Sequence, residues 1–454
     1  MSMNDETTER AIAQARQAQA RRKGRGNPQQ GAANTAWPKA VSFDQLPDYK
    51  MIERLRWASE TVGFANPYFR LHEGHAGLRT VIDGRESLNF ASYDYAGLNA
   101  DPRTAAAAKD AIDRYGVSPS GSRLVSGARP VHLALEAALA QHYSTAAAIC
   151  FVSGHSTNAS TIGCLMGESD LIVQDALVHN SLQVGAKLSG AARRSFAHND
   201  MAALEALLIE NRARYRNALI VVEGHYSMDG DTPPLPQLIA LKQKYGCWLM
   251  VDEAHALGCV GATGKGVFEL YGVDPAEVDI WMGTLSKTLA ATGGYIAGST
   301  ALIELLMGNA SGYVYSVALA PALAASALTA LELLESEPWR AQKLQQNTAF
   351  FIETARAAGL DTGAAEPFSI VPVMVGDSAL AAKLSERLLA RGINALPVIF
   401  PAVPMQAARL RFFLTALHEP EHIVAAVDAT REELQRLHDE RFGSAISPTL
   451  LDLR

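Results

Sequence analysis

The sequence predicts an α/β protein with a mostly parallel central sheet flanked by helices, followed by a smaller α+β domain at the C-terminal end. Helical patterns separate five short apolar runs, which read AAICFVSG, DLIVQDA, ALIVVEG, WLMVDEA and VDIWMGT. Apolar strands that alternate with helices indicate a parallel sheet whose two faces are both buried. After about residue 338 the pattern becomes helix, strand, helix, strand and helix, which indicates the second domain.

The composition is that of an ordinary globular protein, with 454 residues of which 48% are hydrophobic and 19% charged. The first 45 residues are polar and poor in large apolar side chains, so we expect a disordered tail. A basic arm that docks an acidic protein, such as an acyl carrier protein, is the alternative for this tail. We divide the chain into this tail, an N-terminal segment, a large domain, a small domain and a C-terminal tail, at residues 1–45, 46–100, 101–337, 338–440 and 441–454.

Several features of the sequence predict a cytoplasmic protein that binds neither nucleic acid nor a membrane. The formal net charge is -7, whereas nucleic-acid-binding proteins more often carry a basic patch. No apolar segment of a signal peptide follows the first charges. The charge-poor stretch from Leu305 to Leu331 is interrupted by Gly, Asn and Pro, so it predicts a turn and a buried helix. The four cysteines form no CxxC pair, which predicts free thiols and no metal site.

The segment WLMVDEAHALG, residues 248–258, contains the letters DEAH, which occur in nucleic-acid helicases. A helicase ATPase needs a phosphate-binding loop of the form GxxxxGK[ST] before that motif. The nearest candidate, GATGKGV, lies after it, has Cys259 where the first Gly is required and has Gly266 where Ser or Thr would bind Mg²⁺. The sequence therefore argues against an ATPase.

Polar side chains stand at the ends of all five predicted strands. Because the carboxyl ends of parallel strands meet at one edge of a sheet, where such proteins bind ligands, we expect these residues to form one rim. They are Ser153 and Gly154, Asp175 and His179, the segment from Glu223 to Ser227, the segment from Asp252 to His255, and the segment from Thr284 to Lys287.

Lys287 and Asp252 have the chemistry of a pyridoxal phosphate site. A desolvated lysine can form a Schiff base with a carbonyl. An aspartate at the end of a buried strand can hold a pyridinium nitrogen through a charge-assisted hydrogen bond. The phosphate would bind backbone amides at the start of the helix after the first strand, in SGHSTN. The alternative for Lys287 is a solvated surface charge.

Eight stretches of the chain resemble the α-oxoamine synthase family, in that family's order. They are GSRLVSG, FVSGHSTNAS, DALVHNSL, FAHNDMAALE, EGHYSMDGD, LMVDEAHALGCVGATGKGV, GTLSKTLAATGGY and ARLRFFLTALHEPE, and the resemblance covers roughly residues 46 to 435. The family includes serine palmitoyltransferase, aminolevulinate synthase, 8-amino-7-oxononanoate synthase and 2-amino-3-ketobutyrate CoA ligase. The resemblance implies the fold of the PLP-dependent transferases of type I, with pyridoxal 5'-phosphate (PLP) as the cofactor.

The resemblance implies a role at the cofactor ring for five residues. Lys287 would form the Schiff base and move the α-proton, and Asp252 would bind the pyridine nitrogen and keep it protonated. His179 would stack on the ring, while His255 and Ser227 would bond the phenolic oxygen. For the two histidines, the alternative is a hydrogen-bonded place in the core.

The resemblance also implies how the phosphate is bound. The amides of Gly154 and His155, together with Thr284, would hold it. Ser316 would reach it from the partner subunit, because the family is dimeric with shared sites.

The resemblance also implies that two residues lie at the substrate. Arg411 would form a bidentate pair with the amino-acid carboxylate, and neighbouring Arg409 is the rival for this role. Tyr93, in FASYDYAGL, stands where several family members have Asn. Serine palmitoyltransferases resemble the sequence at this position and in DEAH, so we expect a branch similar to them. His225 and Glu253 have no assigned role.

The implied reaction is a decarboxylating condensation of a small L-amino acid with an acyl thioester, which gives an α-amino ketone and CO₂. The amino acid is serine, alanine or glycine, and the thioester is that of CoA or of an acyl carrier protein. One alternative is another fold-type-I enzyme, such as an aminotransferase or 2-amino-3-ketobutyrate CoA ligase. A non-catalytic subunit of a heterodimeric synthase would be expected to lack the Schiff-base lysine, and Lys287 is present.

Overall fold

The computed structural model describes residues 40–404 and 406–442. Two compact units make up the chain, residues 1–55 and residues 56–454. The described part of the first unit contains a 3-10 turn, Phe43–Gln45, and the start of helix α1, which spans Pro47–Val62. The polar tail and the C-terminal tail predicted from the sequence lie largely outside the described residues.

The described part of the second unit contains thirteen strands. They are β1 (Arg79–Ile82), β2 (Arg85–Asn89), β3 (Ala147–Phe151), β4 (Leu171–Asp175), β5 (Ala192–Phe196), β6 (Ala218–Glu223), β7 (Trp248–Asp252), β8 (Ile280–Thr284), β9 (Gly294–Gly298), β10 (Ile370–Gly376), β11 (Ile393–Asn394), β12 (Leu396–Val398) and β13 (Ala408–Phe413).

Several helices of this unit begin directly after a capping aspartate. Asp101, Asp200 and Asp377 each accept a hydrogen bond from an amide of the first turn that follows them. The helices are α2 (Pro102–Tyr115), α3 (Pro130–His142), α4 (Gly154–Leu165), α5 (Asn180–Leu188), α6 (Met201–Asn211), α7 (Leu235–Tyr245), α8 (Val267–Tyr271), α9 (Thr300–Asn309), α10 (Ser311–Val314), α11 (Pro321–Ser336), α12 (Trp339–Ala357), α13 (Ser378–Ala390) and α14 (Pro420–Asp439).

The largest sheet has seven strands in the order β3-β9-β8-β7-β6-β4-β5. The strands from β8 to β5 in this order pair in parallel, and β9 is antiparallel to both of its neighbours. The five predicted strands are β3, β4, β6, β7 and β8, so the prediction of a mostly parallel sheet is confirmed. The apolar pattern does not predict β5, an edge strand with exposed arginines, or β9, which begins and ends with glycine.

The middle of this sheet is buried on both faces, as the continuous apolar runs predict. Successive side chains of a strand point to opposite faces, and those of β7 enter two different core clusters. Leu249 and Val251 belong to one cluster, and Met250 belongs to the other. Burying one such side chain contributes about 1.5–3 kcal/mol. Packing from both faces therefore fixes the position of the carboxyl end of β7.

Two smaller sheets accompany the large one. The antiparallel sheet β10-β13-β12 lies within the range that the sequence assigns to the small domain. In the sheet β1-β2-β11, strand β11 runs parallel to β2, with Ile393 opposite Leu88. Strand pairing thus joins the N-terminal segment to the C-terminal part of the chain.

The loop after β7 gives Glu253 and the GATGKG segment a structural role. Glu253 is fully buried, and its carboxyl group accepts a hydrogen bond from the amide of Val267 at 3.2 Å. A Cβ at Gly224 would lie 1.9 Å from Glu253 Oε1, and one at Gly266 would lie 2.0 Å from Oε2. Gly266 also has a φ of 124°, which favours glycine. The two glycines therefore make room for a buried carboxyl group, whose pKa burial raises to about 8.

The charge-poor stretch of residues 305–331 contains the end of α9, the short α10 and the first part of α11. Helix α11 buries a face that includes Ala324, Ala327 and Leu331, so the predicted buried helix is confirmed. Over the described ranges, no helix combines the length and the apolar character that crossing a bilayer requires.

Candidate active site

Each of the five predicted strands contributes residues near its carboxyl end to one cavity of about 400 Å³. Asp175, which the sequence also assigns to this rim, does not line the cavity and pairs with His198. Ten of the eleven residues that the sequence assigns to the site line it, namely Tyr93, Gly154, His155, His179, Ser227, Asp252, His255, Thr284, Lys287 and Arg411. The eleventh, Ser316, is half-buried and is not among the lining residues. The fold thus brings together side chains from most of the length of the chain.

Asp252 ends β7, the middle strand of the large sheet, and only 4% of its surface is exposed. Its Oδ2 accepts a hydrogen bond from Asn158 Nδ2 at 2.8 Å, and its Oδ1 accepts one from the amide of Ala254 at 3.0 Å. These donors fix the carboxylate and offset part of the cost of burying its charge. The sequence analysis does not single out Asn158, although it lies one helical turn after Gly154 and therefore on the same side of α4.

Lys287 follows β8 and places its amine in the cavity. Its Nζ lies 2.8 Å from His255 Nε2 and 5.4 Å from the centre of the Tyr93 ring. Burial lowers the pKa of Lys287 to about 8, and the carboxyl groups of Asp252 and Glu223 partly oppose this shift. The neutral, nucleophilic amine is therefore accessible near neutral pH.

A second carboxyl group, Glu223, stands opposite Asp252 at the end of β6. Its Oε1 accepts a hydrogen bond from the amide of His179 at 2.6 Å, and its Oε2 accepts one from the amide of Ser227 at 3.2 Å. Burial and the neighbouring charge of Asp252 raise the pKa of Glu223 to about 8. Glu223 therefore ties two of the predicted cofactor-binding residues to the sheet, a role that the sequence does not predict.

His179 caps the start of α5 with its ring. The Nδ1 atom accepts a hydrogen bond from the amide of Ser181 at 3.2 Å, and the Ser181 hydroxyl lies 2.7 Å from the same atom. That hydroxyl also accepts a hydrogen bond from Asn158 Nδ2 at 2.9 Å. Burial lowers the pKa of His179, so its ring is neutral at neutral pH. A neutral ring that is held in one orientation can stack on a planar ligand.

The start of α4 and Thr284 form a site for an anion. Ser153 caps this helix by accepting a hydrogen bond from the amide of Ser156 at 3.3 Å. The amides of Gly154 and His155 have no partner among the described residues, and such amides bind phosphate groups. A Cβ at position 154 would lie 2.8 Å from Thr284 Oγ1, so glycine allows the helix to begin this close to the threonine.

Of the two arginines of β13, Arg411 lines the cavity. Its Nη1 donates a hydrogen bond to the backbone oxygen of Ser227 at 2.7 Å, and its guanidinium lies 4.7 Å from the centre of the Phe413 ring. Its buried Nε has no hydrogen-bonding partner in the part of the chain that the structure describes. Arg409, the rival, is buried in an ion pair with Asp229. Arg411 therefore has a free edge for a carboxylate.

The residues of the cavity fit pyridoxal phosphate. An anion site, a buried carboxylate and an amine of lowered pKa come from different strand ends, and they match the phosphate, the ring nitrogen and the aldehyde of this cofactor. Buried polar atoms normally have a partner. The unpartnered amides at the start of α4 and the unpartnered Nε of Arg411 are therefore places where a ligand would complete the structure.

Known proteins similar to this chain include enzymes that contain PLP. The aminotransferase class I and II family matches residues 85–429. The 8-amino-7-oxononanoate synthase of Geobacter metallireducens is 43% identical over 356 residues, which cover 78% of this chain and 90% of the relative. The structure of serine palmitoyltransferase from Sphingomonas wittichii has a TM-score of 0.83 and 30% sequence identity, and the match covers 88% of this chain and 100% of that chain. A serine palmitoyltransferase solved with PLP has a TM-score of 0.83 and 28% identity, with the same coverage of 88% and 100%.

The similarity to PLP-containing structures confirms the predicted type I fold and the predicted cofactor. The sequence relative carries the name of one α-oxoamine synthase and the structural relatives carry that of another. The chain therefore belongs to the aminotransferase class I and II family and is a pyridoxal-phosphate-dependent α-oxoamine synthase.

Proposed function

We propose that this chain condenses a small L-amino acid with an acyl thioester, releases CO₂ and yields an α-amino ketone. The observation that carries the proposal is that the amine of Lys287, the carboxylate of Asp252 and the free guanidinium edge of Arg411 share one cavity. The cavity thereby offers a nucleophile, a partner for a cationic ring and a partner for an amino-acid carboxylate.

The tasks of these three residues follow from their contacts. Lys287 would hold the cofactor through its amine, and its Nζ would accept the α-proton of the amino acid, for which its pKa of about 8 is suited. Asp252 holds the proton on the ring nitrogen through a charge-assisted hydrogen bond. Arg411 orients the amino acid by its carboxylate. Pyridoxal phosphate, when bound, supplies an electron sink for the negative charge left at the α-carbon.

The other residues that line the cavity hold the cofactor in this proposal. The ring of His179 stacks on it, supported by the cap that fixes this ring at the start of α5. The contacts to the phosphate and the phenolic oxygen come from Gly154, His155, Thr284, His255 and Ser227.

Alanine is the amino acid that the sequence relatives favour. The name 8-amino-7-oxononanoate describes an acid with a ketone next to an amine-bearing carbon and a final methyl group. That end of the molecule has the skeleton of alanine without its carboxyl group. Serine and glycine remain the other candidates, and Tyr93, 38% exposed in the cavity wall, is placed to contact the substrate.

We infer that the reaction takes place in the cytoplasm. All four cysteines are free thiols, which is the usual state in reducing compartments. The formal net charge of -7 favours partners other than nucleic acid. The acyl donor is a thioester of CoA or of an acyl carrier protein.

We also infer that two chains form a homodimer with shared sites. Ser316, the residue expected to act in the partner's site, lies beside Tyr315, which is 87% exposed. Val125 is 82% exposed. Its segment is a neighbour of the segment that contains Ser316, because the amide of Ala318 donates a hydrogen bond to the backbone oxygen of Gly121 at 3.0 Å. Exposed apolar side chains that lie close together are typical of a surface that another protein chain covers.

The reaction is tested by giving the PLP-loaded protein alanine, serine or glycine separately, each with and without acyl-CoA thioesters of increasing chain length. We expect CO₂ release only when amino acid and thioester are both present, in equal amounts with an α-amino ketone identified by mass. Transfer of the amino group to a keto acid, with no consumption of thioester, would identify an aminotransferase and contradict the proposal.

The two arginines of β13 provide a matched test of the carboxylate site. Arg411→Lys should raise the KM for the amino acid about 10- to 100-fold, because a lysine cannot offer a planar two-point contact. Arg409→Lys is the control, and we expect it to lower stability while the same KM stays within about twofold of the wild-type value. An unchanged KM in the Arg411 variant would assign the carboxylate to another residue.

The homodimer is tested by placing a charge on the apolar surface. Tyr315→Asp should give a monomer in sedimentation velocity and should weaken PLP binding, because a carboxylate at an apolar interface is desolvated without a partner. Ile209→Asp is the control, since Ile209 is 67% exposed on α6, away from this segment. A Tyr315→Asp protein that remains dimeric with unchanged PLP affinity would contradict the inference.

A further inference from the structure

Three side chains form a hydrogen-bonded row that ends at the reactive lysine. The Tyr95 hydroxyl lies 2.8 Å from His255 Nδ1, and His255 Nε2 lies 2.8 Å from Lys287 Nζ. Tyr95 is fully buried and His255 is 6% exposed. The sequence analysis assigns no role to Tyr95, and the proposed reaction described above does not use it.

The position of Tyr95 is fixed by its own backbone. Its carbonyl oxygen accepts a hydrogen bond from the amide of Ala416 at 2.8 Å, and its amide donates one to the carbonyl oxygen of Tyr93 at 2.9 Å. Its ring packs against those of Tyr93 and Phe413, with centroids 6.4 Å and 6.2 Å away. The hydroxyl group is therefore presented to His255 from a rigid support.

The protons of this row can be assigned. Burial raises the pKa of Tyr95 well above its ordinary value and lowers that of His255 well below its own, so both groups are neutral at neutral pH. A neutral imidazole carries one N–H, on either Nδ1 or Nε2. The partner of each ring nitrogen decides between the two tautomers.

The Tyr95 hydroxyl forms its hydrogen bond with His255 Nδ1, 2.8 Å away. The nearby hydroxyl of Ser369 acts to lower the pKa of Tyr95, as a donor to the Tyr95 oxygen does, so Ser369 does not take the Tyr95 proton. If Nδ1 carried the proton, the proton of the buried hydroxyl would have no acceptor, which is costly. Tyr95 therefore donates to Nδ1, and the imidazole proton resides on Nε2, the atom that faces Lys287.

We propose that Tyr95 is a positioning residue that holds His255 in the tautomer with a proton on Nε2. His255 then donates a hydrogen bond to the neutral amine of Lys287, and it offers the same N–H to the phenolic oxygen of the bound cofactor. This inference rests on the proposed function, because it concerns the protonation of the lysine that the reaction uses.

Other charges also act on Lys287 and must stay unchanged in a test. The ammonium form of Lys287 is favoured by Glu223 on β6, Asp252 on β7 and Cys259 in the loop after β7. It is disfavoured by the guanidinium of Arg411 on β13. None of them is hydrogen-bonded to the Tyr95 hydroxyl in the described residues, so removing this hydroxyl leaves them in place.

The test measures how fast the full-length apoprotein takes up pyridoxal phosphate between pH 6 and pH 10, from the growth of its visible absorbance. The midpoint of this profile reports the amine of Lys287, because the neutral form reacts. Tyr95→Phe should raise the midpoint by about half a pH unit, since His255 no longer prefers the tautomer that stabilises the neutral amine.

A matched control and a double variant separate positioning from packing. Tyr143→Phe removes a hydroxyl group that is equally buried but is hydrogen-bonded to Tyr295 at 2.8 Å, and it should leave the midpoint unchanged. In a His255→Gln background, Tyr95→Phe should also have no effect, because Tyr95 acts through His255. An equal shift in that background would overturn the proposal.

A second substitution at Tyr95 gives a result that does not depend on whether the Tyr95→Phe variant folds correctly. Replacing Tyr95 by 3-fluorotyrosine keeps the ring but makes the hydroxyl a stronger donor, so the midpoint should fall. A midpoint that stays in place in both variants overturns this inference while leaving the proposed function intact. A wild-type protein that develops no visible band would overturn both.

Discussion

The burial of Asp252 at the end of the central strand is the constraint on which the rest of the site depends. A carboxylate with 4% of its surface exposed is costly unless donors and a cation compensate its charge. Asn158 and the amide of Ala254 supply the donors. A protonated ring nitrogen of the bound cofactor would supply the cation. Glu223 has a pKa raised to about 8, so it can remain protonated and leave the charge on Asp252.

Hydrophobic periodicity was sufficient to predict the parts of the fold that position the site. Strands β6, β7 and β8 are buried on both faces, and such strands appear in a sequence as continuous apolar runs. Strand β5 has no such run because its middle residues, Arg193, Arg194 and Ser195, are exposed to solvent. Strand β9 is held by backbone pairing to two neighbours, and its glycines give no side-chain pattern to detect.

Much of the candidate site could also be predicted, because its polar residues directly follow strands whose ends meet. The partners that orient those residues could not. Tyr95 and His255 are 160 positions apart, so only the folded chain shows that they touch. The letters DEAH divide between two functions in space: Asp252 and His255 face the cavity, while Glu253 is enclosed by two glycines. The DEAH motif thus contains two residues of the candidate active site and one buried residue that packs beneath the loop after β7.

The most direct test of this account compares Asp252→Asn with Asp170→Asn, which removes a charge from another fully buried carboxylate that is paired with Arg216. The measurement is kcat for the condensation in PLP-saturated protein. We expect Asp252→Asn to lower kcat by about 100-fold or more, because an amide cannot keep the ring nitrogen protonated. Asp170→Asn should cost stability but retain turnover. Full turnover in PLP-saturated Asp252→Asn protein would contradict the central claim that the buried charge of β7 serves the chemistry.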